Sequence, residues 1–202
     1  MGNWYTNVAL KGVQQADVVA LLEELGRRAY VTPQRSGWIV VCDQETDEFD
    51  LGILESLALT LCTRLSCISL ASCNADDDVL WLAVYENGAL STRYASSRKS
   101  FEDGDEFPEL RETAENLVRV FQKPEAKNEA LRVLGKSHGV LGLVSFFTKL
   151  KIGYVTEIQR HLELSDLLGM PRAAVGLGYN YVHKGENLEG IERSTLRRTM
   201  IG

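Results

Sequence analysis

Tyr179, Asn180, Tyr181 and His183 stand close together near the C-terminus. Two phenols, an amide and an imidazole can line a pocket, and Gly176 and Gly178 just before them permit close approach of the backbone to another element or to a ligand. These four are the ligand-binding candidates. The competing reading is packing, because aromatic residues at alternate positions fit against a neighbouring sheet.

The other reactive groups do not assemble into a reaction. His138, His161 and His183 show neither HExxH nor HxH spacing. His138 falls in an expected loop. His161 falls on an expected helix beside Arg160 and Glu163, where it should be exposed. A catalytic histidine needs a nucleophile and an orienting acid beside it, and no such set is legible. We therefore assign no catalytic residue and expect a non-enzymatic protein. Leu134-Gly135-Lys136-Ser137 is similar to the end of a P-loop, but Ala130 stands where that pattern needs glycine and the preceding residues read as helix. Gly176-Leu177-Gly178 lacks the third glycine of a dinucleotide fingerprint.

Two acidic runs invite a cation, Asp43–Asp50 and Asp76-Asp77-Asp78. Neither has the glycine and alternating ligands of a calcium loop. Three adjacent carboxylates in a strand point to alternate sides, so the triplet reads as a solvated strand entry. Asp50 reads as a helix cap. Cys42, Cys62, Cys67 and Cys73 form no CxxC pairs and read as reduced core thiols rather than zinc ligands. No metal or cofactor is expected.

The net charge of -6 argues against nucleic acid held on a basic surface, and Arg193, Arg197 and Arg198 are too few to reverse it. No apolar run reaches membrane-spanning length and no secretory signal opens the chain, so a cytoplasmic location is expected. The start Met1-Gly2-Asn3-Trp4-Tyr5-Thr6 fits a loose myristoylation pattern, but no polybasic patch follows to hold a membrane.

These groups need a scaffold, and its centre is a hairpin. Val79–Tyr85 is an unbroken apolar strand, and Asn87-Gly88 fits a type I′ turn, which requires positive φ at both central residues. A plain two-residue loop sets Tyr85 opposite Leu90, Ala83 opposite Thr92 and Trp81 opposite Tyr94. One face then collects Trp81, Tyr85 and Tyr94. Before the hairpin, alternation over Trp4–Leu10 predicts a strand. Val18, Leu21, Leu22 and Leu25 predict a helix ending at Gly26. Strands follow at 30–32 and 38–42, then a helix carrying Ile53, Leu54, Leu57, Leu61 and Leu65, then a strand at 68–72. This β-α-β-β-α-β order is that of the split βαβ, ferredoxin-like arrangement.

Residues 97–108 are polar and read as a linker between a ferredoxin-like part, 1–96, and a mostly helical part, 109–202. The second part predicts helices through Leu117 and Phe121, after Pro124, across Val140–Leu150, and over Val155–Leu168 with Ile158, Leu162 and Leu168 inward. Residues 173–182 read as a short strand or an extended return, and the tail from Asn187 as polar and partly mobile. The fold class is α+β, with the helical part packed on the hairpin-extended sheet.

The stretches DDDVLWLAVYENGALSTRYAS and LLGMPRAAVGLGYNYV, with the opening WYTNVALKG, resemble a group of uncharacterised bacterial proteins. The resemblance covers most of the chain and implies that both halves belong to one recurrent protein. It carries no activity and no site residues.

The expected function is an interaction or regulatory module acting through protein contacts, with a protein partner or a second copy of the chain. The aromatic sheet face of Trp81, Tyr85 and Tyr94 is the partner surface if the helices leave it bare. The alternative is a small-molecule sensor or enzyme with a pocket between the halves, using Tyr179, Asn180, Tyr181 and His183.

Overall fold

The computed structural model describes residues 2–98, 107–138, 153–154, 156–170, 172, 175–188 and 190–200. Its strands are β1 (Tyr5–Lys11), β2 (Ala29–Val31), β3 (Trp38–Asp43), β4 (Ile68–Ala75), β5 (Val79–Glu86), β6 (Ala89–Ala95), β7 (Ser137–His138), β8 (Gly153–Tyr154) and β9 (Arg197–Arg198). Six α-helices lie among the described residues: α1 (Gln15–Glu24), α2 (Leu51–Leu65), α3 (Leu110–Val120), α4 (Lys127–Gly135), α5 (Glu157–Leu168) and α6 (Tyr179–Lys184). The expected helix over Val140–Leu150 and most of the expected linker lie outside the described residues.

The protein is mixed α+β. Seven strands form one sheet in the order β6-β5-β4-β1-β3-β2-β9, every neighbour antiparallel. β7 and β8 make a separate parallel pair. No helix among the described residues is long and apolar enough to cross a membrane.

Local signals place the first two helices. Gly26 follows α1 with φ +67, and the Arg27 N–H returns to the Leu22 carbonyl at 2.8 Å, closing the helix end. At the start of α2 the Asp50 carboxylate accepts from the Ile53 N–H at 3.0 Å, which satisfies one of the free amides of the first turn. Both helices cover one face of the sheet. There Val18 and Leu22 of α1 and Leu54, Leu57 and Leu61 of α2 meet Val8, Leu10, Ile39, Val41, Trp81 and Tyr85. The second face is covered from the C-terminal half. Leu117 of α3, Val133 of α4, Leu164 of α5 and Tyr179 of α6 pack with Trp38, Val40, Leu70, Leu82 and Tyr94.

The hairpin departs from its expected register. Asn87 and Gly88 take positive φ, and Tyr85 pairs with Leu90. Ser91 is then an extra residue in β6, so Val84 pairs with Thr92, Leu82 with Tyr94 and Trp81 with Ala95. Such a bulge shifts the partners beyond it by one residue, and side chains change faces with that shift. Trp81 and Tyr85 therefore lie under α2, while Tyr94 lies on the opposite face and donates its hydroxyl to the Leu134 carbonyl at 2.9 Å.

Three other readings are corrected. Asp76 and Asp77 form a tight turn with φ +54 and +60, not a strand entry, and their carboxylates hold the N-terminal segment. Asp76 accepts from the Gly2 N–H at 3.0 Å and the Trp4 indole at 2.9 Å; Asp77 accepts from the Asn3 N–H at 3.0 Å. The tail is tied down: β9 pairs with β2, and the Thr199 hydroxyl takes the Ala29 N–H at 2.9 Å while donating to the Arg27 carbonyl at 2.6 Å. Residues 179–184 are helix, not strand. Their buried positions, Tyr179 and Val182, are three apart, a helical spacing that the alternation of Val175, Leu177, Tyr179 and Tyr181 concealed.

Candidate functional site

The backbone leading into α6 lies directly on β1. A Cβ at Gly178 would stand 2.9 Å from an Asp47 carboxylate oxygen and 3.0 Å from the Tyr5 Cβ, so glycine alone fits there. The close approach is to another element of the chain. Side chains fix it: Asn7 Nδ2 donates to the Leu177 carbonyl at 2.8 Å, Asp47 Oδ2 accepts from the Asn180 N–H at 2.8 Å, and the Tyr181 hydroxyl accepts from the Trp4 N–H at 3.3 Å. Asp47 sits half-buried, and that burial pushes its carboxyl up against the lowering effect of the amides it accepts from. Asn180 and Tyr181 thus serve to seat α6.

Tyr179 and His183 belong to a different assembly. The buried Tyr179 ring lies 5.2 Å from the Tyr30 ring of β2 and stacks on His183 at 5.9 Å and 6°. The Tyr30 hydroxyl and His183 Nδ1 are 2.9 Å apart, a hydrogen bond that orients the exposed imidazole. Arg198 of β9 pairs with Tyr30 in the sheet, and its guanidinium carbon lies 5.7 Å from the centre of the Tyr30 ring. Arg193, in the 3₁₀ turn Arg193–Thr195, donates to the His183 carbonyl at 3.2 Å. Four segments, two of them from the tail, converge on one rim of the sheet.

The charge around this rim is distinctive. Arg28, Arg35, Lys184, Arg193, Arg197 and Arg198 are exposed there, and none pairs with a carboxylate among the described residues, although the same segments also carry the exposed acids Glu186 and Glu192. Elsewhere most guanidiniums are neutralised by partners within the chain, Arg27 by Asp43, Arg64 by Glu24, Arg93 by Glu55, Arg119 by Glu86 and Arg172 by Asp166, while Arg98 and Arg111 have no carboxylate partner among the described residues. A cluster of uncompensated guanidiniums beside an oriented imidazole and two phenol rings can hold carboxylates or other anions. The four thiols are buried in the sheet, in α2 and in the turn between α2 and β4, and burial pushes Cys67 and Cys73 up to about 12.

A second polar group lies buried between α5 and the sheet. His161, expected on the surface, is 1% exposed and meets the Tyr5 hydroxyl through Nδ1 at 2.7 Å. Burial drives the imidazole down to about 4 and pushes the Tyr5 phenol well above its ordinary value. Next to it, Arg160 forms an ion pair at 2.7 Å with Glu157, one turn back; the two are 1% and 0% exposed. Arg160 also donates to the carbonyls of Val133 at 2.7 Å, Leu134 at 2.8 Å and Lys136 at 2.6 Å, filling the end of α4. α5 is rotated from its expected setting: Glu157, Arg160, His161, Leu164, Ser165 and Leu168 face inward, and Ile158 and Leu162 are only half-buried. This network is closed to solvent and braces the fold. Lys136, of the P-loop-like run, is spent on Glu163 at 2.8 Å and the Tyr154 hydroxyl at 3.2 Å.

Trp81, Tyr85 and Tyr94 are each 3% exposed and split between the two faces, so the expected aromatic partner face does not form. The chain's own helices cover it. An open groove of about 510 Å³ lies beside α2, lined by Leu25, Arg27, Glu45, Asp50 and Ile53, and its one guanidinium is already held by Asp43 and Glu45. No group of three or more potential metal ligands occurs among the described residues. Tyr30 was not singled out from the sequence, and Arg193 and Arg198 were weighed only as tail residues too few to hold nucleic acid. No family model, curated protein or solved structure matches the chain.

Proposed function

We propose that this protein is a non-enzymatic interaction module acting through protein contacts, with its contact surface at the β2–β9 rim around Tyr30, Tyr179, His183, Arg193 and Arg198. One observation carries the reading: six exposed basic side chains without carboxylate partners gather at this rim in a chain of net charge -6. An excess of basic over acidic groups at a surface attracts an anionic partner and speeds its approach. The scaffold on this reading is a ferredoxin-like split βαβ unit, whose strand order β4-β1-β3-β2 is extended by the hairpin on one side and by the returning tail on the other.

The test uses fluorescent poly-L-glutamate as the anionic probe. Anisotropy should report saturable binding that weakens steeply with added salt. The double variant Arg193→Glu/Arg198→Glu should lose that binding while remaining folded, because both side chains are exposed and give up only one hydrogen bond and one ring contact. Equal binding by the double variant would overturn the proposal.

A further inference from the structure

We infer that the occupant of this rim is an extended acidic peptide that adds to β9 as a further strand, a step that rests on the interaction reading above. Among the described residues, β9 is the last strand of the sheet on this side. The Thr199 N–H points inward to the Ala29 carbonyl at 3.1 Å. Neighbouring residues of a strand direct their N–H and C=O groups to opposite sides, so those of Arg198 point away from β2. A donor and an acceptor therefore stand at the open edge, in the spacing that an added strand engages.

The two ends of the sheet differ. At the β6 end, α3 lies against the strand, and the Thr113 hydroxyl donates to the Arg93 carbonyl at 3.4 Å. Arg93 is paired with Glu55 there, and Arg119 with Glu86. At the β9 end, no described residue hydrogen-bonds the Arg198 backbone on its outer side, and none of the flanking cations pairs with a carboxylate among the described residues. Charge selects the occupant. A second copy of this rim would bring guanidiniums against guanidiniums, which disfavours self-pairing through β9. A strand with carboxylates at alternate positions presents them all on one face, where they meet Arg198 and His183; Arg197, the neighbouring residue of β9, points to the other face. Tyr30 supplies an apolar floor beneath the first of these.

Two synthetic peptides of equal charge test this. Both alternate glutamate with valine; one carries an N-methyl group on the backbone nitrogen of its central residue, which removes a strand hydrogen bond and leaves the charge unchanged. With the full chain, the unmodified peptide should bind saturably, slow amide exchange in residues 197–199, and outbind the methylated peptide by about tenfold or more. Equal binding of both peptides would overturn strand addition while leaving the interaction reading standing. Binding unaffected by Arg193→Glu/Arg198→Glu would overturn both. Should that variant fail to fold, Arg197→Gln/Arg198→Gln keeps the test, with loss of peptide binding expected and unchanged binding contradictory.

Discussion

The two faces of the sheet are held by different physics. Beneath α1 and α2 the contact is hydrocarbon on hydrocarbon, Leu22, Leu54 and Leu61 against Val8, Leu10 and Trp81. Beneath α5 a carboxylate, a guanidinium and an imidazole are buried among the apolar residues. Apolar packing is non-directional and scales with area removed from water. Buried charge is costly unless every hydrogen bond is made, so it fixes position more sharply than it stabilises. Arg160 spans Glu157 and three carbonyls at the end of α4, and Tyr5 locks His161 to β1. The polar face thereby locates the C-terminal half whose last residues build the basic rim.

Breaking the polar face should cost most. Arg160→Met leaves Glu157 buried without its partner and strips the α4 carbonyls; about 3–5 kcal/mol of unfolding free energy should be lost in denaturant titrations. The double change Glu157→Gln/Arg160→Met should lose less than the two single changes combined, because it removes the stranded charge. Additive losses would show that the pair does not act as a unit. On the apolar face, Leu61→Ala should lose about 2–5 kcal/mol through the cavity it leaves. Its double with Arg160→Met should be additive, since the two sit on opposite sides of the sheet.

Tyr5→Phe should lose about 1–3 kcal/mol, as the buried His161 Nδ1 loses its partner. The imidazole also gives the polar face a pH dependence that the apolar face lacks. Its folded value, about 4, lies below its ordinary 6.5, so the unfolded chain binds the proton more readily between these values. The stability it permits is complete above 6.5 and falls as pH drops toward 4, by at most about 1.4 kcal/mol per pH unit. Asp47, raised by burial, works in the opposite direction, but equally in a His161→Gln variant. The difference between the two stability-pH curves therefore isolates His161, and parallel curves would refute its neutral burial.

The apolar face was largely legible. Leu54, Leu57 and Leu61 recur at helical spacing, and Asp50 and Gly26 mark helix ends by local backbone chemistry that needs no tertiary context. The Asn87-Gly88 turn was legible for the same reason. The bulge at Ser91 leaves no local signature, so Trp81 and Tyr85 were grouped with Tyr94 on the face expected to receive the C-terminal helices, whereas they lie under α2. α5 was misread because periodicity tracks apolar residues, and this helix turns Glu157, Arg160 and His161 inward. Tyr179 and His183 were legible as chemistry-bearing types. Their partners Tyr30, Arg193 and Arg198 were not, since they meet only when a two-residue strand without periodicity returns to β2.

The most direct test of the central claim is the affinity of the intact protein for the alternating glutamate–valine peptide, compared with Arg193→Glu/Arg198→Glu at matched thermal stability. The account predicts saturable binding by the native chain and its loss in the variant. Equal affinity for both proteins would contradict it.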